Sequence, residues 1–177
     1  MRRRMRTLLA PILVLAALFG TAAQAQFSNR SVGLSLGYTK LSVADGIGID
    51  HAIPLGLEYS TYIESGFELV GHFDFMILNQ QPADVNVIGI APSIGFHYLF
   101  AEEDIRPYVG ADLNFLHIFG SNSDTANYFG VGPNVGVDFF MSESVSLGVR
   151  ADYKLYLALN GPTENSFGGS LQIKTYF

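Results

Sequence analysis

The chain has 177 residues, no cysteine and a formal net charge of −6, with 10 Lys+Arg against 16 Asp+Glu. The lack of cysteine excludes disulfides, thiolate metal sites and cysteine nucleophiles, and the acidic balance argues against a nucleic-acid partner. A chain of this length is expected to form one domain after any leader is removed.

The first residues have the order of a secretory signal peptide. Four of residues 2–6 are arginine, an apolar run covers 8–19, and small residues lead to Ala23-Gln24-Ala25. This order predicts a signal peptide over residues 1–25 and a mature domain over 26–177. A membrane anchor helix is the alternative, but the apolar run is shorter than the ~20 residues that a spanning helix needs. Cleavage would leave 6 basic and 16 acidic residues, a net charge of −10.

Eight later stretches alternate apolar and polar residues with period two, the pattern of β-strands that have two different faces. The predicted strands cover residues 32–41, 53–62, 67–77, 87–99, 108–119, 129–140, 145–157 and 167–177. Connections after odd-numbered strands are predicted to be the longer ones (42–52, 78–86, 120–128 and 158–166), and those at the end with both termini are mostly shorter (63–66, 100–107 and 141–144). Every later apolar run is broken within a few residues, so a membrane would have to be crossed by strands.

One face of each predicted strand is apolar and carries no charge apart from Lys40 at a strand end, and its aromatic residues fall in two bands near the strand ends. Two such bands are typical of a barrel that spans a membrane. The opposite face holds both the charges and most glycines. In a soluble β-sandwich or lipocalin-like barrel, which is the alternative, the apolar set would fill the core instead. We therefore predict an all-β fold, an eight-stranded antiparallel up-and-down transmembrane β-barrel, in which interior glycines make room for charged side chains.

The polar face predicts a network of ion pairs inside the barrel, because buried charges persist when they are paired. Arg150 is the single interior arginine and is expected to bind at least two carboxylates among positions 58, 74, 112, 138 and 152. The predicted network is Glu58, Glu68, His72, Asp74, Asp112, Asp138, Arg150, Asp152, Lys154 and Lys174. We interpret it as a structural plug. The alternatives are a narrow channel, which would favour cations because six carboxylates face three basic residues, and a proton-sensitive site at His72.

No catalytic motif is present: the sequence has no phosphate-binding loop, no His-Glu-x-x-His and no Gly-x-Ser-x-Gly. The four histidines are scattered along the chain, so we predict no metal site and no cofactor. Acidic loop positions are interpreted as solvated turn residues, with calcium or cation-bridged lipopolysaccharide as the alternative. These positions are Asp45, Asp50, Asp84 and Asp124.

One enzymatic alternative depends on His117, which is predicted to face lipid near the rim with the longer loops. Some eight-stranded barrels are lipid A deacylases that use a histidine, a serine and an acidic group on this surface. Ser121 and Ser123 follow His117, but the tight His-x-Ser spacing of that family is absent. A histidine in the interfacial aromatic band is the simpler interpretation.

The signal peptide, strand count, alternation and aromatic ending over 27–177 resemble the small eight-stranded outer-membrane barrels of the OmpA/OmpX type. The ending Leu171-x-Ile173-x-Thr175-x-Phe177 resembles the signal that the barrel-assembly machinery recognises, carried by Leu171, Ile173 and Phe177. Thr175 departs from it, since a more apolar residue is usual there, and this puts insertion efficiency in doubt.

This resemblance implies a location in the bacterial outer membrane, contacts with outer-membrane lipids and lipopolysaccharide, and a monomeric state. It also implies a non-enzymatic structural or surface-interaction role in the cell envelope. The loops lack long protruding strands, which weakens an adhesive role.

Overall fold

The computed structural model describes residues 29–42, 49–80, 85–101, 104–119, 125–158 and 163–177. The strands are β1 Arg30–Ser42, β2 Ile49–Glu64, β3 Phe67–Gln80, β4 Val85–Leu99, β5 Ile105–Phe119, β6 Thr125–Ser142, β7 Val145–Ala158 and β8 Thr163–Tyr176. Each strand pairs antiparallel with the next, and β1 pairs with β8 over twelve consecutive residue pairs. The sheet therefore closes on itself, and the predicted fold class, an eight-stranded antiparallel barrel, is confirmed.

Several predictions fall on residues outside those ranges. They are the signal peptide, the loop positions Asp45, Asp84 and Asp124, and the serines Ser121 and Ser123. Within the described ranges, no helix is both long and apolar enough to cross a membrane.

The eight predicted strands are all present, and several are longer than the alternation indicates. β2 begins at Ile49, β6 at Thr125 and β8 at Thr163, where residues 53, 129 and 167 are predicted. Backbone pairing needs no apolar side chain, so the ladders continue beyond the apolar faces. The connections at one end are therefore shorter than predicted and cover residues 43–48, 81–84, 120–124 and 159–162. We call this end the loop end.

The opposite end, which we call the terminal end, carries Asn29, Phe177 and the connections 65–66, 100–104 and 143–144. The turn between β2 and β3 contains Ser65 and Gly66, whose φ angles are 54° and 85°. Two positive φ angles at the centre of a two-residue hairpin give a type I′ turn, which matches the twist of the flanking strands. The Gly66 N–H donates to the Tyr62 hydroxyl at 3.0 Å.

The apolar face of every strand points away from the barrel axis. Leu113 and Leu171, for example, are 62% and 66% exposed, and comparable exposures occur around the whole circumference. A soluble barrel would bury this set, so the predicted direction of the two faces holds. The structure exposes a continuous apolar belt.

Backbone pairing is interrupted at three prolines within strands. The gaps lie in β1–β2 at Pro54, in β4–β5 at Pro92 and in β6–β7 at Pro133. Proline has no N–H to donate, so it cannot complete the ladder on that side. The register is the same on both sides of each gap, and the strands stay aligned.

Candidate functional site: the barrel interior

Lys174 is the centre of one ion-pair group in the terminal half of the interior. Its Nζ lies 2.8 Å from Glu58 Oε1 and 3.1 Å from Asp138 Oδ2. Gln172 Nε2 donates to Glu58 at 3.3 Å and the Tyr176 hydroxyl donates to Asp138 at 3.4 Å. With 1% of its surface exposed, Lys174 is held by two carboxylates as a buried ammonium requires.

Arg150 is the centre of a second group. Its guanidinium forms an ion pair with Asp112 and donates to His72 Nε2. Because arginine has no acceptor atom, a hydrogen bond between the two side chains requires His72 to accept through Nε2. Glu58 Oε2 lies 3.2 Å from the same nitrogen, which brings the two groups side by side.

This arrangement differs from the expected partners of Arg150. Of the five expected carboxylates, Asp112 contacts it, whereas Glu58 and Asp138 bind Lys174 instead. Asp152 lies 3.9 Å from Lys154. Adjacent strands fix which residues share the interior, but the side chains that meet across the lumen depend on the relative heights of non-neighbouring strands.

Glycine stands opposite the charged residues in the ladders. The register pairs Glu58 and Lys174 with Gly33, Asp74 with Gly56, Asp112 with Gly95 and Gly132, Asp138 with Gly148, Arg150 with Gly136 and Asp152 with Gly168. A Cβ at Gly56, Gly95 or Gly148 would collide with the facing carboxylate. These glycines therefore supply the volume that the ion pairs occupy.

The terminal end of the interior is closed by a hydrogen-bonded chain and by aromatic rings. Ser31 contacts Ser60 at 2.7 Å, and the Ser60 hydroxyl donates to Glu68. Glu68 Oε2 lies 3.5 Å from Nδ1 of His97, whose ring stacks on Tyr108. Alongside, the Arg106 guanidinium lies 4.4 Å from the centre of the Phe140 ring. Arg106 pairs with inward-facing Asp138 in the β5–β6 ladder, so the prediction that Arg150 is the single interior arginine is wrong.

A small cavity of about 30 Å³ lies above the two ion-pair groups, toward the loop end. Asp74, Asp152 and Lys154 line it, with Arg150 and His72 at its boundary. About 10–15 Å³ of volume measured in this way holds one water molecule, so the cavity is large enough for an ordered water among charged groups.

The loop end of the interior contains an apolar cluster that the sequence pattern did not predict. We call it the apolar cap, and its buried members are Leu41, Ile49, Ala52, Met76, Leu78, Val87, Ala91, Leu116, Ile118, Tyr128 and Tyr156. Their side chains point into the barrel near the loop end of the strands. Nearer the terminal end, charged residues occupy the same inward face. Apolar pairs of consecutive residues, such as Ile77-Leu78, were the available signal, because one of the two must point inward.

The described residues contain no group of three His, Asp or Glu side chains that could hold a metal ion. The interior is instead divided into ion pairs in the terminal half and an apolar cap in the loop half. Side chains fill both halves, as expected for eight strands. Chemically, this interior supplies paired charges that link non-neighbouring strands across the lumen.

Two further predicted sites lie on the outer surface. Leu171, Ile173 and Phe177 are exposed in the apolar belt at the end of β8, whereas Thr175 is buried. His117 lies near the loop end, with Nδ1 2.6 Å from Asn127 Oδ1 and its ring edge-on to Phe119.

Comparison with known proteins gives a family match over most of the chain. The family model of the outer membrane protein beta-barrel domain matches residues 9–174. No curated protein matches the chain. The similar solved structures include Neisserial surface protein A, with a TM-score of 0.67 and 16% identity, covering 85% of this chain and 98% of that one.

Two further solved structures have the same fold at lower similarity. OprG of Pseudomonas aeruginosa has a TM-score of 0.54 and 11% identity, covering 85% of this chain and 96% of that one. Ail of Yersinia pestis has a TM-score of 0.54 and 10% identity, covering 86% and 100%. At these identities the likeness concerns the fold alone, but the family match covers residues 9–174. The chain belongs to the outer membrane protein beta-barrel domain family.

Proposed function

We propose that this protein is a non-enzymatic integral barrel of the bacterial outer membrane with a structural or surface-interaction role in the cell envelope. The observation that carries the proposal is the apolar belt around a barrel whose interior is filled by ion pairs and an apolar cap. A charge that faces lipid at mid-depth costs about 2–4 kcal/mol. The belt has none, and the charges point inward.

The proposal includes export by the signal peptide over residues 1–25, insertion by the barrel-assembly machinery and a monomeric state. Exposed Leu171, Ile173 and Phe177 would supply the assembly signal. The loop-end connections have four to six residues, which leaves little chain for a protruding adhesive surface. We therefore favour a structural role over adhesion.

Fractionation with heat-modifiable migration tests the location. The folded barrel in unboiled outer-membrane fractions should migrate differently from the boiled chain. A band that boiling leaves unchanged, or a protein recovered in the soluble periplasm, would contradict the outer-membrane location.

The structural role is tested by deleting the gene and measuring leakage of periplasmic proteins, with complementation by the wild-type chain. A deletion strain with an intact envelope under detergent stress would contradict that role.

A narrow cation-favouring channel is the second candidate. Seven interior carboxylates, which are the six predicted and the buried Glu164, outnumber Arg106, Arg150, Lys154 and Lys174, and a water-sized cavity lies among them. The apolar cap opposes conduction, since an ion would have to lose water to pass it. Planar-bilayer recordings separate the two candidates. We expect little or no steady conductance.

A lipid A deacylase is the least supported candidate. The rim position of His117 favours it, but the ring contacts Asn127 and Phe119. The amide of Asn127 can orient an imidazole without supplying a nucleophile. Incubation with lipid A and mass analysis for lost acyl chains tests this activity, and we expect the acyl chains to be retained.

A further inference from the structure

The barrel interior contains more acidic than basic side chains. Within the described residues, seven carboxylates and four basic side chains face inward. A negative charge away from bulk water persists there only when a cation or hydrogen-bond donors compensate it. The basic residues are Arg106, Arg150, Lys154 and Lys174, and the acidic residues are Glu58, Glu68, Asp74, Asp112, Asp138, Asp152 and Glu164.

All of these carboxylates except Asp74 have a partner inside the barrel. Four form the ion pairs described above, and two accept a hydrogen bond from a serine or tyrosine hydroxyl. Asp74 forms neither an ion pair nor a hydrogen bond with any residue that the structure describes. Its carboxylate therefore needs a partner that is not one of these side chains.

Asp74 lines the water-sized cavity described above, together with Ser35 and Gln172. Asp74 pairs with Gly56 in the ladder between β2 and β3. Ser35 pairs with Gly56 on one side and with Gln172 on the other, so these residues lie on one row across three ladders. A Cβ added at Gly56 would collide with both Asp74 Oδ1 and Ser35 Oγ, and the two oxygens therefore border the same space.

Gln172 adds a third oxygen to this row. The side chain is 4% exposed, and its Nε2 donates to Glu58. Its Oε1 has no hydrogen-bond partner among the residues that the structure describes. A buried amide oxygen without a donor needs a partner as well. The cavity thus has one unpaired carboxylate and one unpaired amide oxygen in its lining.

We propose that this cavity binds one small monovalent cation with the size and charge of sodium. The Asp74 carboxylate, the Ser35 hydroxyl and Gln172 Oε1 supply the oxygen ligands. The cavity volume of about 30 Å³ is enough for a cation and a water molecule that completes its coordination. The cation compensates the charge of Asp74 and links β1, β3 and β8.

The lining favours a monovalent cation over a divalent one. It contains a single unpaired carboxylate, and Lys154 and Arg150 bring positive charge to the same cavity. Calcium takes about six to eight oxygen ligands, and magnesium keeps several water molecules for which this cavity is too small. A site with one carboxylate also agrees with the lack of a three-residue His, Asp or Glu group among the described residues.

The stability of the purified, refolded barrel in two salts tests the site. Urea unfolding is followed by heat-modifiable migration in sodium chloride and in N-methylglucamine chloride at the same ionic strength, so that screening is equal. A ligand that binds only the folded state shifts the equilibrium toward that state. For the wild type, replacing N-methylglucamine by sodium should raise the folding equilibrium constant about tenfold.

Two aspartate variants locate the effect. Asp74→Asn removes the charged ligand and should be equally stable in the two salts. The matched control is Asp138→Asn, which removes an interior carboxylate that binds Lys174. This control should be less stable than the wild type in both salts and should keep the tenfold difference between them. The wild-type comparison itself does not depend on the folding of any variant.

Equal stability of the wild type in sodium and N-methylglucamine would overturn the site, and a proton on Asp74 in place of a cation would give that result. A salt difference that Asp74→Asn retains would overturn it too, because the effect would then arise elsewhere in the barrel. The inference depends on the closed barrel and not on the proposed role in the envelope. Because stability is measured on purified protein, its failure is distinguishable from failure of the fractionation and deletion experiments.

Discussion

Gly95 lies directly across the β4–β5 ladder from Asp112, and a methyl group on Gly95 would occupy the space of the Asp112 carboxylate. That carboxylate holds Arg150, which in turn contacts His72. Because Gly95 has no side chain, the Asp112 carboxylate on the neighbouring strand has room to bind Arg150. The same relationship recurs between Gly56 and Asp74 and between Gly148 and Asp138.

Gly95→Ala should destabilise the barrel by about 1–3 kcal/mol, the usual cost of overpacking. The added Cβ displaces Asp112 and leaves Arg150 with a poorer partner. Urea unfolding followed by heat-modifiable migration measures the change. The control is Gly71→Ala, because a Cβ at Gly71 meets no atom closer than 3.9 Å. Equal unfolding midpoints for the two variants would contradict this explanation of the interior glycines.

Arg150→Met should lower the free energy of unfolding by about 3–5 kcal/mol, since it leaves Asp112 buried without a cation. The double variant Arg150→Met with Asp112→Asn should recover part of this loss, because it removes the unpaired charge as well. A double-mutant cycle in urea gives the coupling energy. Additive losses would show that Asp112 gains nothing from Arg150.

Leu78→Ser combined with Leu116→Ser should open the apolar cap to water and raise single-channel conductance in planar bilayers. Both leucines are buried in the cap, and a hydroxyl there lowers the cost of a hydrated ion. Ile77→Ala, on the outer face of the same strand, is the control and should stay closed. Large anion-selective openings of the wild-type barrel would contradict an interior filled by side chains.

Phe177→Ala should reduce the amount of heat-modifiable barrel in outer-membrane fractions, because it removes the last residue of the proposed assembly signal. Refolding of the purified variant in detergent should be little changed, since Phe177 is 51% exposed and packs on the belt. Phe100→Ala, an exposed aromatic change at the same end, is the matched control. A normal yield of folded Phe177→Ala in cells would contradict the signal.

The sequence predicts the strands and the direction of their faces because a strand has a period of two residues. The alternation of Leu171 and Ile173 with Gln172 and Lys174 fixes which side chains share the lumen. The alternation does not determine which of these interior side chains contact one another. Glu58 reaches Lys174 across β1, which lies between their strands, and that contact depends on the stagger of three strands.

The apolar cap was not predicted for a different reason. Leu78 and Leu116 occupy the polar phase of their strands, next to other apolar residues, so the period-two pattern is lost where they stand. At a single position, an apolar residue on the inward face only interrupts the alternation and does not indicate a cluster. Only the closed barrel shows that seven strands contribute such residues to one cluster.

The prolines of β2, β4 and β6 imply an unexpected distribution of stability around the wall. The joint between the first and last strands has twelve consecutive pairs without a gap, whereas the ladders beside Pro54, Pro92 and Pro133 each lack pairs at mid-height. Amide hydrogens flanking these prolines should exchange with deuterium sooner than those of the β1–β8 joint. The barrel would then begin to open beside these prolines, and β1 and β8, the first and last strands, would separate last.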